Sequence, residues 1–438
     1  MKKIMIAVAV LAMLNAFSCS EKNKDTNSPA SETISGTSAT ESEENVEIKV
    51  ATLIDDISKF KDLIDKKMSC DVEIKYYPYS EETDSLELLN LDILSGENFD
   101  VVYSTTEDIH TLIDRGYMTD LSPLMKQSET LKKEDFLPNV LAGLEVDGKI
   151  PAVCNEWKLF TAVAKISNVG ENMESWTPEQ AFEAYNNMPE DMSFLYYGHR
   201  KYDRLNYFMN RVAVDAVDYK NNTCNFSGAF METLENLNNL PEFQENESDS
   251  NALINNQALV EEVWFFGINS AVTQSLYSNF GGEDITFVGY PSESGKGYTT
   301  DCFSMLAIPE TSQHKTQAYE FISFMINDYL NNGNGITYTM PITERHLQAQ
   351  LNESKYSGSS VNCPQYIPET NEQVQISDEA LDKFVDYVRR VEFEPYTSSE
   401  VDSIVFSEYH KCFEGETTPQ ECADMLNNRV SLYLSETE

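Results

Sequence analysis

Polar and apolar residues alternate through VEIKVATLI, residues 46–54, which predicts a strand; the run breaks at Asp55 and Asp56 before an amphipathic stretch that reaches Met68. DVEIKYYPY, 71–79, repeats the alternation and is a second strand. SEETDSLELLNLDILSG then sets Leu86, Leu89 and Ile93 on one helical face and stops at Gly96. FDVVY, 99–103, is apolar throughout, as expected of a strand covered on both faces. Repeated strand, helix, strand order predicts a parallel, doubly wound sheet in an α/β fold.

After the third strand, Thr105 is placed to cap a helix, with Asp108 reaching back from the third helical position. Ile109, Leu112 and Ile113 would face the sheet, and Gly116 would end the turn. Tyr103 and Ser104 are thereby expected at the carboxyl end of a central strand, the edge at which open α/β sheets hold ligands. Two later segments start helices by the same device. SWTPEQAF has Thr177 as cap, Pro178 at the first helical position and Gln180 closing a capping box. TTPQECADMLNNRVSLYL does so with Thr418, Pro419 and Glu421, and sets Cys422, Met425, Leu426 and Tyr433 on a buried stripe. These residues start helices and carry no chemistry.

At the amino terminus Lys2 and Lys3 precede an apolar run from Ile4 to Leu14 that continues through Ala16 and Phe17, the form of a secretory signal and too short for a permanent membrane span. EKNKDTNSPASETISGTSATESEEN follows, almost without large apolar residues, so a signal over 1–18 and a flexible tether over 19–45 are expected. The residues AFSCS resemble a bacterial lipoprotein signal, with Ala16 and Phe17 where Leu and a small residue are usual. That resemblance implies a diacylated Cys19, a palmitate-type anchor in the membrane. Each buried methylene contributes about 0.8 kcal/mol, so two chains hold stably while the domain stays in water.

A length of 438 residues predicts two domains, and 41% hydrophobic content supplies their cores. Subtracting 73 acidic from 31 basic residues leaves a net charge of −42, which argues against nucleic acid and against charge-driven docking on anionic lipid. It mainly describes a soluble, self-repelling surface; a cationic solute such as a polyamine is the sharper alternative. Of eight cysteines, seven remain beside Cys19 and cannot all pair internally. Cys412 and Cys422 flank EGETTPQE and could meet across a helical hairpin, although two buried thiols are expected. Neither the cysteines nor the five histidines show metal-ligand spacing, so no metal and no cofactor are expected. GYPSESGKGYTT is not a phosphate loop, because Gly297 stands where Ser or Thr should follow the lysine.

Longer segments then line up in order: SGENFDVVYSTTEDIHTLIDRGYMTDLSPLM, LEVDGKIPAV, ESWTPEQAFEAYNNMP, DITFVGYPSESGKGYTTDCFSMLAIPETSQHKTQAYEFISFMIND and SEYHKCFEGETTPQECADMLNNRVSLYLSE. They resemble the extracellular solute-binding proteins of ABC importers, the carbohydrate-type group that includes maltose-binding protein, over nearly all of the mature chain. The resemblance implies a two-lobed periplasmic-binding-protein-like fold of type II, with one lobe from 46–155 plus 300–335 and the other from 156–299 plus 336–438. Crossings at 152–155 and 299–302 would be the hinge. It further implies a lipid-anchored monomer on the outer face of the bacterial cytoplasmic membrane that closes on a sugar or oligosaccharide and delivers it to ABC permease subunits. Closing a mostly open population takes about 5.5 kcal/mol of differential affinity.

Sugars present flat apolar faces rimmed by hydroxyls, so their sites pair aromatic platforms with carboxylates, amides and hydroxyls. The residues so placed are Asp55, Tyr103, Ser104, Glu156, Trp157, Tyr197 in FLYYG, and Trp264 with Phe266 in VWFFG. Trp157 and Trp264 are the leading platforms; Trp176 precedes a helix cap and is assigned to a hydrophobic staple. Two alternatives remain: the same receptor role for a peptide, polyamine or other small solute, and a surface glycoside hydrolase with paired carboxylates. No GxSxG, HExxH or Cys/His constellation supports hydrolysis by another route, and no enzyme activity is expected.

Overall fold

The computed structural model describes residues 46–436 apart from 55–56, 79–83, 172, 190–191, 197–200, 241–250, 269–279, 282, 330–338 and 357–377. The chain divides into Met1–Glu44 and Asn45–Glu438, and the description concerns the second unit. The signal, the tether, Cys19, Asp55 and Tyr197 lie outside the described residues.

The strands are β1 Glu47–Thr52, β2 Asp71–Tyr76, β3 Val101–Thr105, β4 Ala152–Lys165, β5 Ser193–Leu195, β6 Val217–Asp218, β7 Thr223–Cys224, β8 Ala258–Phe265, β9 Ile285–Thr286 and β10 Thr299–Ala307. The main sheet runs β2-β1-β3-β10-β4-β8-β5, with β9 also paired to β4, while β6 and β7 form a separate hairpin. β1 pairs in parallel with β2 and β3, and β5 in parallel with β8, as the strand and helix order predicts. The centre is different: β10 is antiparallel to both β3 and β4, and β4 is antiparallel to β8 and β9. A parallel pair needs a crossover between neighbours in sequence, whereas β10 returns from far down the chain and takes the central position in the opposite direction.

β4 is 14 residues long and serves two partners. Its ladder with β10 extends from Ala152↔Ala307 to Phe160↔Thr299, and its ladder with β8 extends from Leu159↔Phe265 to Ala164↔Val260. The β10 ladder is irregular between Cys302 and Met305, which is a bulge.

Two apolar clusters pack against this sheet, the first alone over both faces of β1 and β3. The first gathers Ile48, Val50, Val101, Ile109, Leu112, Leu306 and Phe321, and also takes in Met340, Phe384, Val388 and Phe393. The second gathers Trp176, Phe182, Phe194, Tyr207, Phe226, Val405, Cys412, Cys422 and Leu426. Beyond residue 159 the faces of β4 divide between them: Val163 belongs to the first cluster, Ala162 and Ala164 to the second.

Helix starts follow the sequence closely. Thr105 caps helix Thr106–Asp114 by accepting from the Asp108 N–H at 3.2 Å. The Asp108 carboxylate turns instead to the Ser104 hydroxyl, which donates to it. At Thr177 the box closes both ways, at 2.9 and 3.2 Å, and Thr418 and Glu421 exchange the same pair of bonds at 2.9 and 3.2 Å. Trp176 is a core residue: its indole N–H donates to the Gly289 carbonyl at 3.0 Å and its ring stacks on Phe194. Gly289 has φ +68, and a Cβ there would lie 2.2 Å from the Gly297 carbonyl oxygen, so the GYPSESGKG loop closes on itself backbone to backbone.

Trp157 is fully buried, donates its indole N–H to the Pro341 carbonyl at 3.1 Å and packs 5.2 Å from the Phe393 ring. Truncating it removes a large apolar contact area and orphans a carbonyl. Trp157→Ala should lower unfolding free energy by about 3–5 kcal/mol, read as an earlier midpoint in denaturant with an unchanged slope.

Candidate functional site

A strand turns successive side chains to opposite faces, and β4 does so across its shared middle. Glu156, Lys158 and Phe160 are partly exposed, while Trp157, Leu159 and Thr161 between them are buried. Register then brings partners onto the exposed face, since Asp301 lies opposite Lys158 and Trp264 opposite Phe160. Trp264 is 63% exposed and Phe303, at the β10 bulge, is 46% exposed, so large aromatic surface stands uncovered. The Phe160 and Trp264 rings meet edge to face at 5.9 Å. The Lys158 ammonium sits 5.3 Å from the Phe266 ring and 5.7 Å from the Phe303 ring, with the Glu156 carboxylate 3.7 Å away. Desolvation pushes the Glu156 carboxyl up and Lys158 opposes it.

On one side this face opens into a cavity of about 360 Å³, of a size suited to a small ligand. Phe160 and Asp301 form its floor, Met209 of helix Lys201–Asp215 and Asp402, Phe406 and Tyr409 of helix Ser399–Phe413 its walls. On the other side stands helix Thr106–Asp114, where Thr106 donates to the Cys302 carbonyl. Contacts among the described residues join the sides: the Ser399 hydroxyl donates to the Glu107 carboxylate at 2.7 Å, and the His110 and Tyr396 rings lie 5.2 Å apart.

Of the residues expected at a site, Glu156, Trp264 and Phe266 share this face. Tyr103 and Ser104 do not: they are 5% and 0% exposed, because β10 pairs along β3 and a helix begins directly after it, leaving no open strand end. The Tyr103 hydroxyl accepts from the Asn155 amide at 3.1 Å. Trp157 offers no platform either, since strand alternation turns it to the face opposite Glu156. Asp55 and Tyr197 lie outside the described residues. The face gains Lys158, Phe160, Asp301 and Phe303, none of them expected. Strict alternation in EWKLF would have found the first two. Among the described residues no group of three or more His, Cys, Asp or Glu is placed to hold a metal, and no helix is long and apolar enough to cross a membrane.

No protein-family model matches the chain, and no curated protein matches it by sequence. Solved structures do. The chain is similar to the sugar-binding protein MalE from Xanthomonas citri, with a TM-score of 0.58 and 14% identity over 89% of this chain and 98% of that one. It is similar to an extracellular solute-binding protein of family 1 from Alicyclobacillus acidocaldarius, with a TM-score of 0.57 and 14% identity over 89% and 98%. It is also similar to the cyclic alpha-maltosyl-1,6-maltose binding protein from Arthrobacter globiformis, with a TM-score of 0.52 and 15% identity over 89% and 99%. At such identities the likeness establishes the fold, which is the two-lobed, mixed α/β fold of MalE-like solute-binding proteins.

One carboxylate at the margin of the exposed face is strongly perturbed. Glu262 lies two residues before Trp264 on β8, and desolvation pushes its carboxyl up to about 7 from 4.5, with Asp203 adding to the rise and a hydrogen bond from Tyr290 opposing it. The folded state therefore keeps a proton that the unfolded chain releases. This contribution is whole below pH 4.5 and lost as pH rises to about 7. Its span is at most about 3 kcal/mol. Glu262→Gln should flatten the fall in melting temperature over that window, measured by calorimetry across a pH series beside the parent chain.

Proposed function

We propose that the chain is an extracellular solute-binding protein that captures a sugar or oligosaccharide on the face carrying Glu156, Phe160, Trp264 and Phe303 and delivers it, unaltered, to an ABC permease. One observation carries the reading: in a two-lobed solute-binding fold, Trp264 and Phe303 stand uncovered on the strands that flank β4, beside the partly exposed Glu156 and Phe160 of β4 itself. Rings stack on the apolar faces of sugars and carboxylates accept from their hydroxyls. That MalE and the maltosyl-maltose binding protein bind sugars supports a carbohydrate. The proposal includes two lobes, expected as 46–155 plus 300–335 and 156–299 plus 336–438 with chain crossings at 152–155 and 299–302; the packing of Met340, Phe384, Val388 and Phe393 in the first cluster favours a later return to the second lobe, at 391–401. It includes a monomer held by a lipid on Cys19, and Asp55 and Tyr197 as further ligand contacts. Closure would follow from a ligand that touches both lobes and so favours the closed state.

A second reading, the same receptor role for a polyamine, is favoured by the cavity, whose lining holds Asp301 and Asp402 beside Glu394, which is already paired with Arg211 and Lys296. A thermal-shift screen against neutral mono- and oligosaccharides, amino acids, peptides and polyamines separates the two. A ligand at 100 times its dissociation constant adds about 2.7 kcal/mol of stability. Neutral sugars should raise the melting temperature; a rise with polyamines or peptides alone would overturn the carbohydrate reading. Trp264→Ala should abolish the ligand shift yet leave the free protein within a few degrees, because its ring is 63% exposed.

A further inference from the structure

The last two helices hold a pair of thiols in contact. Helix Ser399–Phe413 and helix Pro419–Glu436 are joined by residues 414–418, and Cys412 and Cys422, at the facing ends, are both 0% exposed within the second cluster. The turn is held from both sides. Gly415 adopts φ +79 and donates to the Cys412 carbonyl at 2.9 Å, Glu416 donates to the Lys411 carbonyl at 3.0 Å, and the Cys422 N–H donates to the Thr418 carbonyl at 2.9 Å. Across it the Asn238 amide donates to the Cys412 sulfur at 3.6 Å, and the Cys422 thiol is near enough to interact with the same sulfur. A second buried pair, Cys154 on β4 and Cys302 on β10, differs in direction: burial and Cys302 both raise the Cys154 thiol, and burial pushes Cys70 up to about 11. Hydrogen bonding from Cys422, against the opposing effect of burial, instead brings Cys412 down to about 7.

We propose that Cys412 and Cys422 are a reversible redox pair whose disulfide staples the turn between the two closing helices. The oxidant is a small-molecule disulfide such as oxidised glutathione. The Cys412 thiolate attacks one sulfur of the oxidant, breaking its S–S bond, forming a mixed disulfide and expelling one thiolate. Cys422 gives up its proton and attacks the Cys412 sulfur, forming the internal bond and expelling the second thiolate. The oxidant leaves as two thiols that carry both protons, and the two cysteines have lost two electrons. Glu414, Gly415 and Glu416 above the pair are exposed, so fraying of the turn gives access. The bond closes a short loop in the unfolded chain, which stabilises the fold without any new packing.

The test is a redox titration of the full chain in buffers of reduced and oxidised glutathione, with free thiols alkylated before digestion and mass mapping. A Cys412–Cys422 cross-linked peptide should appear in a single transition, vanish on reduction, and accompany a rise of a few degrees in melting temperature. Cys412→Ser and Cys422→Ser should each lose that rise, and the melting temperature of the reduced variants shows independently that they fold. Both residues remaining alkylatable in the most oxidising buffer, stopping as glutathione adducts, or pairing with another cysteine would overturn the proposal.

Discussion

The structure depends on one ladder constraint: β4 must satisfy β10 on one edge and β8 on the other, and the two ladders overlap at Leu159 and Phe160. Leu159 lies opposite both Thr300 and Phe265, and Phe160 opposite both Thr299 and Trp264. A strand bonded on both edges cannot rotate one side chain without rotating its neighbours. A slip of one residue would send Glu156 and Lys158 into the first apolar cluster and Trp157 and Leu159 into water. Burying those charges costs several kcal/mol each, so the register is set far more firmly than pairing alone would set it. The composition of the exposed face follows from that.

Covered strands elsewhere in the sheet show what is unusual about this stretch. Val101 and Val102 of β3 are 0% exposed, because neighbouring elements lie over both faces. Between helix Thr106–Asp114 and helix Ser399–Phe413 no described element lies across β4, and the aromatic residues there remain in water. Trp264, Phe303 and Phe406, each at least 46% exposed, are three of the large apolar side chains the fold leaves open. A single exposed ring is ordinary; several on one face beside a cavity mark a surface built to be covered by something else. Lys158, held between Phe266 and Phe303, keeps that surface from being purely apolar, which limits association between copies of the chain while it is empty.

Local signals in the sequence were legible where physics is local. Caps at Thr105, Thr177 and Thr418 were readable because each uses residues within one helical turn. The resemblance to solute-binding proteins named the fold because it drew on segment order over the whole chain. What escaped was whatever depends on partners distant in sequence. β10 enters the sheet centre from residue 299 onward, and its arrival buries Tyr103 and Ser104, which β3 alone would leave at an open end. Trp157 was misjudged for a different reason. Residue type suggested a platform, but type says nothing about face, and only the extent of β4, from Ala152 to Lys165, decides which of Glu156 and Trp157 looks outward. Asp301 and Phe303 were invisible for both reasons at once.

The chain passes between the two clusters a further time, at 391–401, and there no ladder guides it. Val391 and Phe393 sit in the first cluster and Val401 in the second. In between, the Glu392 N–H donates to the Tyr298 hydroxyl at 2.8 Å and the Glu394 N–H to the Thr300 hydroxyl at 2.9 Å, so this passage is tied by side chains to the start of β10. Arg211, 3% exposed, pairs with Glu394 and Asp215 and also donates to the Tyr298 carbonyl at 3.1 Å. Burial alone would raise the Glu394 carboxyl, but Arg211 and Lys296 together hold it below its usual value. A buried pair of this kind adds little net stability over apolar packing, yet it is costly to break one partner at a time. Its effect is therefore to specify where the passage lies. Side-chain ties also differ mechanically from a backbone ladder. Rotating a hydroxyl donor or acceptor lets the backbone shift and the bond persist, whereas a ladder must break or bend at a bulge. The passage through β4 is thus held by backbone ladders and the passage at 391–401 by side chains, and the exposed aromatic face lies next to the ladders that fix its geometry.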